Sequence, residues 1–405
     1  MLTSPTLGPI AVAPRVSRFS YAIRNIVNAA HAEEARGRRV RYLNIGDPVA
    51  FGFDTPPHLV EAVSRSMRDG QNGYLPSAGV LAAREAVAAE YTRKGVAIGP
   101  ERVVITQGTS EGIDLALNVL VDDGEEVLVP SPTYPLYTAV LATLGAHAVF
   151  YPTDPDNGWL PDLDRLASLV TPRTRALVVI DPNNPTGAVY PEPVRRALID
   201  FAETHGLTIL ADEVYGELGF DGPVPLLGSL APEAPILSFS SLSKAWLAPG
   251  WRTGWLTAAP TARLDGVLAG VRKLADARLC SAGPMQYAIK PAIEGDRSHQ
   301  PRFRAALAER AQVIVDTFAA IPGARCVAPR AAFYAMPSVP LPPGRTDEDY
   351  VLALLRETGI LCVHGSGFGV APDAGCLRIV FLADPAELAE IGGEIARFTA
   401  HYLAS

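Results

Sequence analysis

The chain has 405 residues, 48% of them hydrophobic, and this length predicts two unequal lobes. Its formal net charge of −8 predicts no affinity for nucleic acid. No apolar run approaches the ~20 residues of a bilayer span, and the N-terminus lacks the pattern of a signal peptide. We therefore expect a cytoplasmic protein with no membrane partner. The four cysteines and seven histidines are scattered, without the spacing of a metal site or a disulfide framework.

The predicted elements alternate between strands and helices along most of the chain. A helix is predicted over residues 15–36 and an extended piece over 41–45. Apolar runs that break at Gly, Pro or Asp then predict strands at 103–106, 126–129, 176–180, 207–210 and 235–239. Strands that are apolar throughout are typical of a mainly parallel sheet covered on both faces. One long helix is predicted over 302–318, and the last ~80 residues predict a smaller α/β lobe.

Lys244 provides the first chemical signal. It ends the stretch Ser-Leu-Ser-Lys at 241–244, directly behind the apolar run 235–239, and Arg252 follows eight residues later. A buried lysine has a depressed pKa, which makes its amine a nucleophile for carbonyl carbons. A lysine that forms a Schiff base with pyridoxal 5′-phosphate needs this setting, with a cation and hydroxyls nearby for the phosphate. Ligands of parallel sheets gather at the carboxyl ends of strands, where this stretch falls.

A second motif makes a family resemblance specific. Residues 181–187 read Asp-Pro-Asn-Asn-Pro-Thr-Gly, a composition that an ordinary strand-to-helix turn also favours. The stretch resembles the NPxNPTG signature of the fold-type I, class I and II aminotransferases, which use pyridoxal phosphate. The stretch 241–244 resembles their cofactor-lysine motif, and the similarity runs through essentially the whole chain.

The resemblance implies the aspartate-aminotransferase fold, an α/β architecture. Its large domain, expected over 56–295, has a mainly parallel seven-stranded sheet sandwiched by helices. A smaller α/β domain is expected over 296–405, and an N-terminal segment, 15–55, joins the small domain and covers the active site. The family forms homodimers with shared active sites. Tyr74, in a Y-x4-G motif, is therefore expected to reach the cofactor phosphate of the neighbouring subunit.

The resemblance implies pyridoxal 5′-phosphate as the cofactor. Lys244 would hold it as an internal aldimine and then move the substrate proton as general base and acid. Asp212 would pair with the pyridine nitrogen and keep it protonated, so that the ring accepts electrons; a helix N-cap is the alternative role for this aspartate. Tyr215 and Asn184 would reach the phenolic oxygen, and Asn184 also borders the substrate. The other cofactor-binding residues implied are Tyr134, stacked on the ring, and Thr109, Ser110, Ser241 and Arg252, around the phosphate.

Substrate recognition depends on Arg378 in this resemblance. An arginine inside the apolar run 376–382 is costly to bury without an anion, and in the family it clamps the substrate α-carboxylate in a bidentate fork. The alternative is a surface arginine on an edge strand. The backbone of Gly46 is expected to help hold the carboxylate.

The N-terminal segment offers a hypothesis for the second substrate. Tyr21 and Arg24 are spaced to share one helical face, and we predict that they close over the substrate. Arg24 would pair with the distal carboxylate of glutamate or 2-oxoglutarate and swing away for alanine. An exposed arginine on an amphipathic helix is the alternative.

Local matches narrow the expected reaction. Residues 21–24, 50–53 and 364–369 look most like the alanine aminotransferase branch, which implies ping-pong transamination of alanine and 2-oxoglutarate to pyruvate and glutamate. Three positions depart from the commonest family pattern: Asp181 replaces the first asparagine of the signature, His364 a proline, and Trp246 a Phe or Tyr.

Two classes of alternative stay open. An aminotransferase for another amino acid, or a lyase, racemase or cyclase, shares this cofactor shell, so the sequence separates these enzymes poorly. A regulator that only senses pyridoxal phosphate carries a DNA-binding domain ahead of this fold. Neither the short stretch before residue 15 nor the acidic charge favours such a regulator.

Overall fold

This computed structural model describes residues 10–18 and 22–404, and it describes no side chains within residues 17–25. Strands and helices alternate along most of the described chain. Its α-helices are α1 (Ala22–Ala35), α2 (Pro57–Arg68), α3 (Leu81–Arg93), α4 (Gly108–Leu120), α5 (Pro135–Leu144), α6 (Leu163–Ala167), α7 (Glu192–Thr204), α8 (Asp265–Ala277), α9 (Gly283–Gln286), α10 (Ile289–Glu294), α11 (His299–Ala319), α12 (Asp347–Thr358) and α13 (Pro385–Ala404). Its strands are β1 (Arg41–Tyr42), β2 (Val103–Thr106), β3 (Glu126–Ser131), β4 (His147–Asp154), β5 (Leu160–Pro161), β6 (Thr174–Ile180), β7 (Thr208–Asp212), β8 (Ile236–Ser241), β9 (Gly254–Ala258), β10 (Tyr334–Ala335), β11 (Ile360–Leu361), β12 (Val363–His364) and β13 (Leu377–Val380). Among the helices of the described residues, none combines the length and apolar character needed to cross a bilayer.

One sheet dominates the fold. Its strands lie in the order β2-β9-β8-β7-β6-β3-β4-β5, and β8, β7, β6, β3 and β4 run parallel to one another. Strand β9 is antiparallel to both of its neighbours, and the two-residue β5 is antiparallel to β4 at the edge. The expected mainly parallel sheet is therefore confirmed, and β5 extends the predicted seven strands by one short strand.

The central strands are apolar throughout because both faces of the sheet are covered. Every residue from 176 to 180 is at most 1% exposed. Successive side chains of a strand point to opposite faces, so such continuous burial requires packing on each face. Helices supply it, with α4 on β8 and β9, α5 on β4 and α7 on β7.

Some element boundaries differ from the predicted ones. The extended piece predicted at 41–45 contributes only the two residues of β1 to a sheet. The reason lies at Leu43, whose N–H donates to Leu361 O at 2.7 Å while its carbonyl accepts from Val380 N at 2.9 Å. One residue thus bridges two different strands, and the β1 ladder cannot continue past it. The long helix predicted at 302–318 begins earlier, at the first residue of α11.

Several carboxyl ends of the central strands meet at one edge of the sheet. Thr106 of β2 and Ser241 of β8 both pair with Gly254, the first residue of β9. A Cβ at Gly254 would lie 2.7 Å from the carbonyl carbon of Gly108. Glycine is required there because the start of α4 approaches β9 at backbone distance.

Two smaller sheets hold residues from the end of the chain. Strands β10, β13 and β12 form a three-stranded antiparallel sheet with β13 in the middle, and β1 pairs with β11. Arg378 of β13 lies opposite Val363, and Tyr334 of β10 lies opposite Val380. The bonds of Leu43 join these sheets, which brings the segment after β1 beside Arg378.

Candidate active site

A cavity of about 530 Å³ opens at the carboxyl edge of the central sheet. It is lined by most of the predicted site residues: Gly46, Thr109, Ser110, Tyr134, Asn184, Asp212, Tyr215, Ser241, Lys244, Arg252 and Arg378. These side chains come from strand ends and turns spread over more than three hundred positions of the chain. The sheet brings them together because its strand ends share one edge.

One end of the cavity is built to bind an anion. Helix α4 begins there, and its first residues present unpaired backbone N–H groups, which attract negative charge. Thr109 Oγ1 is buried and has no hydrogen-bond partner among the described residues. Arg252 adds a cation from a left-handed backbone, φ 51° and ψ 46°, a conformation that non-glycine residues adopt at some energetic cost. A Cβ at Gly108 would collide with the Arg252 guanidinium.

Asp212 is a buried carboxylate with weak hydrogen bonds. Its side chain accepts from Tyr137 OH and from Val214 N, both at the long distance of 3.4 Å, and it is 3% exposed. Burial raises the pKa of Asp212 to about 6, only partly offset by these bonds and by the charge of Lys244. The N-cap alternative is wrong, because only a short 3-10 turn follows and Tyr215 caps it. The carboxylate therefore lacks a strong donor and suits a cationic N–H group.

The amine of Lys244 faces the cavity between two aromatic rings. Its Nζ donates to Gly46 O at 2.9 Å and lies 5.8 Å from the centroid of the Tyr215 ring and 5.2 Å from that of Phe333. The acceptor, Gly46 O, carries no charge. An aldehyde or ketone ligand that reaches the amine therefore has to displace only one neutral hydrogen bond.

Two further groups beside the lysine are buried and polar. The Tyr215 hydroxyl lies 2.8 Å from the Tyr334 hydroxyl, and burial raises the pKa of Tyr215 well above its usual value, with Tyr334 adding to the effect. Tyr215 is therefore a neutral phenol at physiological pH. Asn184 is 5% exposed, and its Oδ1 has no partner within the described part of the chain. Buried amide oxygens are rarely left without a donor, which indicates that a ligand completes this one.

Arg378 is a buried cation in the lining of the cavity. It is 2% exposed on the middle strand of its sheet, so the alternative of a surface arginine on an edge strand is wrong. One Nη donates to the carbonyl of Asn44. The rings of Tyr334 and Phe368 lie 5.0 and 4.8 Å from the guanidinium carbon, which holds the plane of the cation by cation–π contacts. A planar guanidinium held in this way suits a carboxylate.

Three predicted residues are not among the described residues that line the cavity. Tyr74 is 83% exposed and is not among the described residues around the cavity. Tyr21 lies outside the described residues, and Arg24 is described only as backbone of α1. Their predicted roles stay predictions.

Tyr334 and Asn44 are among the lining residues that the sequence reasoning missed. Asn44 is 0% exposed, and neither polar atom of its amide has a partner among the described residues. Asn44 lies inside the segment predicted to be extended, 41–45, just after β1, and Tyr334 is the first residue of β10. A single polar side chain in a short segment gives no signal of a site until the neighbouring segments are known.

Known proteins resemble this chain over nearly its full length. The sequence profile described as Aminotransferase class I and II matches residues 40–394. Glutamate-pyruvate aminotransferase AlaA of Haemophilus influenzae is 37% identical over 404 residues, covering 96% of this chain and 98% of that protein. Alanine aminotransferase of Mycobacterium tuberculosis is 38% identical over 397 residues, covering 94% and 91%. The solved structure of alanine aminotransferase from Pyrococcus furiosus superposes with a TM-score of 0.93 at 35% identity, covering 96% of this chain and 100% of that one. The fold, the site and these likenesses agree with the resemblance seen in the motifs, and the chain belongs to the class I and II aminotransferases.

Proposed function

We propose that the protein is a pyridoxal-phosphate-dependent aminotransferase that converts alanine and 2-oxoglutarate to pyruvate and glutamate. One observation carries the proposal: a single cavity is lined by a lysine amine, by the start of α4 with Arg252, and by a buried arginine. The relatives named for alanine and glutamate–pyruvate transamination support the choice of substrates.

The residues around the cavity fit the cofactor. Pyridoxal phosphate has a phosphate, an aromatic ring with a basic nitrogen, a phenolic oxygen and an aldehyde. The buried Thr109 Oγ1 and Asn184 Oδ1, which have no partner among the described residues, are two atoms that such a ligand would complete. We assign Thr109, Ser110, Ser241 and Arg252 to the phosphate, Asp212 to the ring nitrogen, Tyr134 to the ring face, Asn184 and Tyr215 to the phenolic oxygen, and Lys244 to the aldehyde carbon.

The chain's own groups then handle the proton. When bound, pyridoxal phosphate supplies the electron sink for the bond broken at the substrate α-carbon. Asp212 would hold the proton on the ring nitrogen, and the resulting ion pair would lower the pKa of a carboxyl that burial, partly offset by its hydrogen bonds and by the charge of Lys244, raises to about 6. Lys244 Nζ, whose hydrogen bond within the described part of the chain goes to the uncharged carbonyl of Gly46, would take the α-proton and return it as general base and acid.

Arg378 is assigned to the substrate α-carboxylate, with Gly46 and Asn184 beside it. The cations among the described residues that line the cavity are Lys244, Arg252 and Arg378, and each of them serves the aldehyde carbon, the phosphate or the α-carboxylate. The distal carboxylate of glutamate therefore needs a cation from elsewhere. This need supports the hypothesis that Tyr21 and Arg24 close over the substrate.

A homodimer is part of the proposal. Several large hydrophobic side chains are exposed on or near α2 and the segment after it: Val60, Met67, Tyr74, Leu81 and Leu279. Arg278 Nη1 donates to Ser77 O at 3.1 Å, which places residue 279 beside that segment. Exposed apolar side chains gathered on adjoining segments mark protein interfaces. A second copy on this surface would bring its Tyr74 to the site.

The domain limits and the location complete the proposal. We keep the N-terminal segment 15–55, the large domain 56–295 and the small domain 296–405. In support, the central sheet lies within 103–258 and the three-stranded sheet within 334–380. The cytoplasm is the proposed location, where thiols stay reduced, and all four cysteines are free.

The test is a panel of amino donors offered with pyruvate or 2-oxoglutarate, with products identified by chromatography. Alanine and 2-oxoglutarate should give equal amounts of pyruvate and glutamate. Pyruvate with free ammonia and no glutamate would identify a lyase, and bound cofactor without turnover of any donor would identify a sensing protein. Better turnover of another donor would keep the aminotransferase and change its substrate.

A further inference from the structure

Asp181 and Arg195 form an ion pair inside the protein, behind the proposed cofactor site. Both side chains are 5% exposed, and Arg195 Nη2 and Nε lie 2.5 and 2.6 Å from Asp181 Oδ2. Asp181 directly follows β6, and Arg195 belongs to α7. A buried ion pair adds little net stability, because desolvation of both charges offsets their attraction. The role of this ion pair therefore lies in the segments that it holds in position.

The pair sits at the base of the turn that carries Asn184. Asp181 Oδ1 accepts from Tyr190 N at 3.1 Å, on the far side of that turn. The peptide N–H of Asp181 donates to Asp212 O, also at 3.1 Å. Arg195 Nη1 also donates a hydrogen bond to Pro225 O at 3.0 Å. The peptide of residue 181 thus joins the strand end bearing Asp212, and its side chain fixes the base of the turn bearing Asn184 to Tyr190 and to α7.

The turn itself is closed by its own bonds. Asn183 Oδ1 accepts from Thr186 N at 3.1 Å and from Thr186 Oγ1 at 2.9 Å, and Asn183 O accepts from Gly187 N at 2.9 Å. A turn with a fixed internal shape moves as one body. Its placement, and that of Asn184, depends on the bonds at its base and on Gly187 O, which accepts from Arg330 N at 2.8 Å and Ala331 N at 3.1 Å.

Only a carboxylate at position 181 can accept hydrogen bonds from both Arg195 and the N–H of Tyr190. Asp181 stands where the family signature has its first asparagine. An asparagine amide has one acceptor oxygen, and its NH₂ group would face a donor, either Arg195 or the N–H of Tyr190. The charged residue at 181 and the arginine at 195 are therefore suited to each other and not to the family amide.

We propose that Asp181 and Arg195 are positioning residues that hold the Asn184 turn against Asp212 and so set the affinity for pyridoxal phosphate. This inference rests on the proposed function, because it places the cofactor between those two residues. It concerns retention of the cofactor and not the chemical step.

The test uses the full-length holoenzyme and the variants Asp181→Asn, Arg195→Met and the double variant. Equilibrium dialysis against falling concentrations of pyridoxal phosphate, read by absorbance, measures the Kd of the cofactor. Each single variant leaves a buried polar or charged group without its partner, so the Kd should rise about tenfold. The double variant loses the same contact that each single variant loses, so its Kd should also rise about tenfold and not the roughly hundredfold expected of two independent sites.

Glu126→Gln is the matched control. Glu126 is a buried carboxylate paired with Arg173 at 2.5 Å, and it lies at the first residue of β3, at the opposite end of the same sheet. This variant should melt at a lower temperature with an unchanged Kd for the cofactor. A merely structural role for Asp181 predicts that same combination for Asp181→Asn.

Arg195→Lys covers the case in which a single variant does not fold. It keeps the charge, but an ammonium cannot reproduce the forked contacts with Asp181 Oδ2 and Pro225 O, so the Kd should rise about threefold. An unchanged Kd in the folded variants, or a double variant whose Kd rises about hundredfold as for two independent sites, overturns the proposal. A wild-type protein that binds no pyridoxal phosphate would instead reject the proposed function.

Discussion

The hydroxyl of Tyr334 lies 2.8 Å from the hydroxyl of Tyr215. Tyr334 belongs to the three-stranded sheet, whereas Tyr215 follows β7 of the central sheet. The ring of Tyr334 also lies 5.0 Å from the guanidinium carbon of Arg378. One side chain thus contacts the residue assigned to the cofactor oxygen and the residue assigned to the substrate carboxylate.

Tyr334→Phe should slow turnover of alanine by about two- to tenfold, because a buried hydrogen bond is worth about 0.5–1.5 kcal/mol. The KM for alanine should change less, since the ring beside Arg378 remains. Tyr350→Phe is the control, because it removes a buried hydroxyl bond to Thr399 at 2.6 Å. This bond joins α12 and α13, and neither residue is among the described residues that line the cavity. Steady-state kinetics with alanine measure kcat and KM for the wild type and both variants. Equal kcat values for wild type and Tyr334→Phe would exclude a role for the hydroxyl contact.

Lys244→Ala should abolish multiple turnover while the protein stays folded, because no other described lysine lines the cavity. Borohydride reduction of the wild-type enzyme should attach the cofactor to the peptide that contains Lys244. Lys273→Ala, an exposed lysine on α8, should keep normal activity. Mass spectrometry of the reduced peptides gives the answer, and a label on any other lysine contradicts the assignment.

The raised pKa of Asp212 makes a prediction for protein stripped of cofactor. The folded chain holds this proton up to a pKa of about 6, whereas the unfolded chain releases it near 3.9. The folded state binds more protons in that window, so its stability falls as the pH rises through it. Asp212→Asn removes this loss and should be more stable than the wild type at pH 8, by about 1–3 kcal/mol. The difference should shrink towards pH 4.

Urea unfolding at several pH values measures that difference. Asp349→Asn is the control of opposite sign, since bonds from Thr346 at the start of α12 lower the pKa of Asp349. The stability due to that carboxylate is present above the unfolded pKa and is lost on acidification. An Asp212→Asn variant that tracks the wild type at every pH would show that burial does not destabilise this carboxylate.

Arg24→Ala should raise the KM for glutamate and 2-oxoglutarate far more than that for alanine and pyruvate. A charge-assisted hydrogen bond to the distal carboxylate is worth about 1.5–3 kcal/mol, or roughly 10- to 150-fold in KM. Alanine has no such carboxylate and should be little affected. Arg15→Ala, at another arginine of the N-terminal segment, serves as the control. Similar effects of Arg24→Ala on both substrate pairs would point to a general role of the helix.

Three departures from the family pattern acquire contacts in the structure. Asp181 pairs with Arg195. Trp246 donates its Nε1–H to Ala292 O at 2.8 Å, a bond that a phenylalanine could not make. His364 Nδ1 lies 2.8 Å from Ser366 Oγ, which in turn lies 2.7 Å from Asp347 Oδ1 at the start of α12. Each replacement is matched by a partner elsewhere in the chain.

The sequence by itself determined the sheet and most of the cavity lining. Apolar runs buried on both faces predict parallel strands, and the carboxyl ends of such strands share an edge. Lys244, Asp212 and Asn184 each stand at or just after such an end, inside a short motif. Their convergence therefore followed from local pattern and from one general property of parallel sheets.

Only the tertiary structure decided the contacts between residues far apart in the chain. Tyr215 and Tyr334 are separated by 119 positions, and Arg378 and Asn44 by 334. Local periodicity reports which face of an element is buried, but not which distant side chain lies opposite. A tyrosine or an asparagine within a short buried strand has the same pattern whether it packs in the core or borders a ligand. The bond between the Tyr334 and Tyr215 hydroxyls placed the tyrosine at the site, and the bonds of Leu43 to Leu361 and Val380 placed Asn44 there.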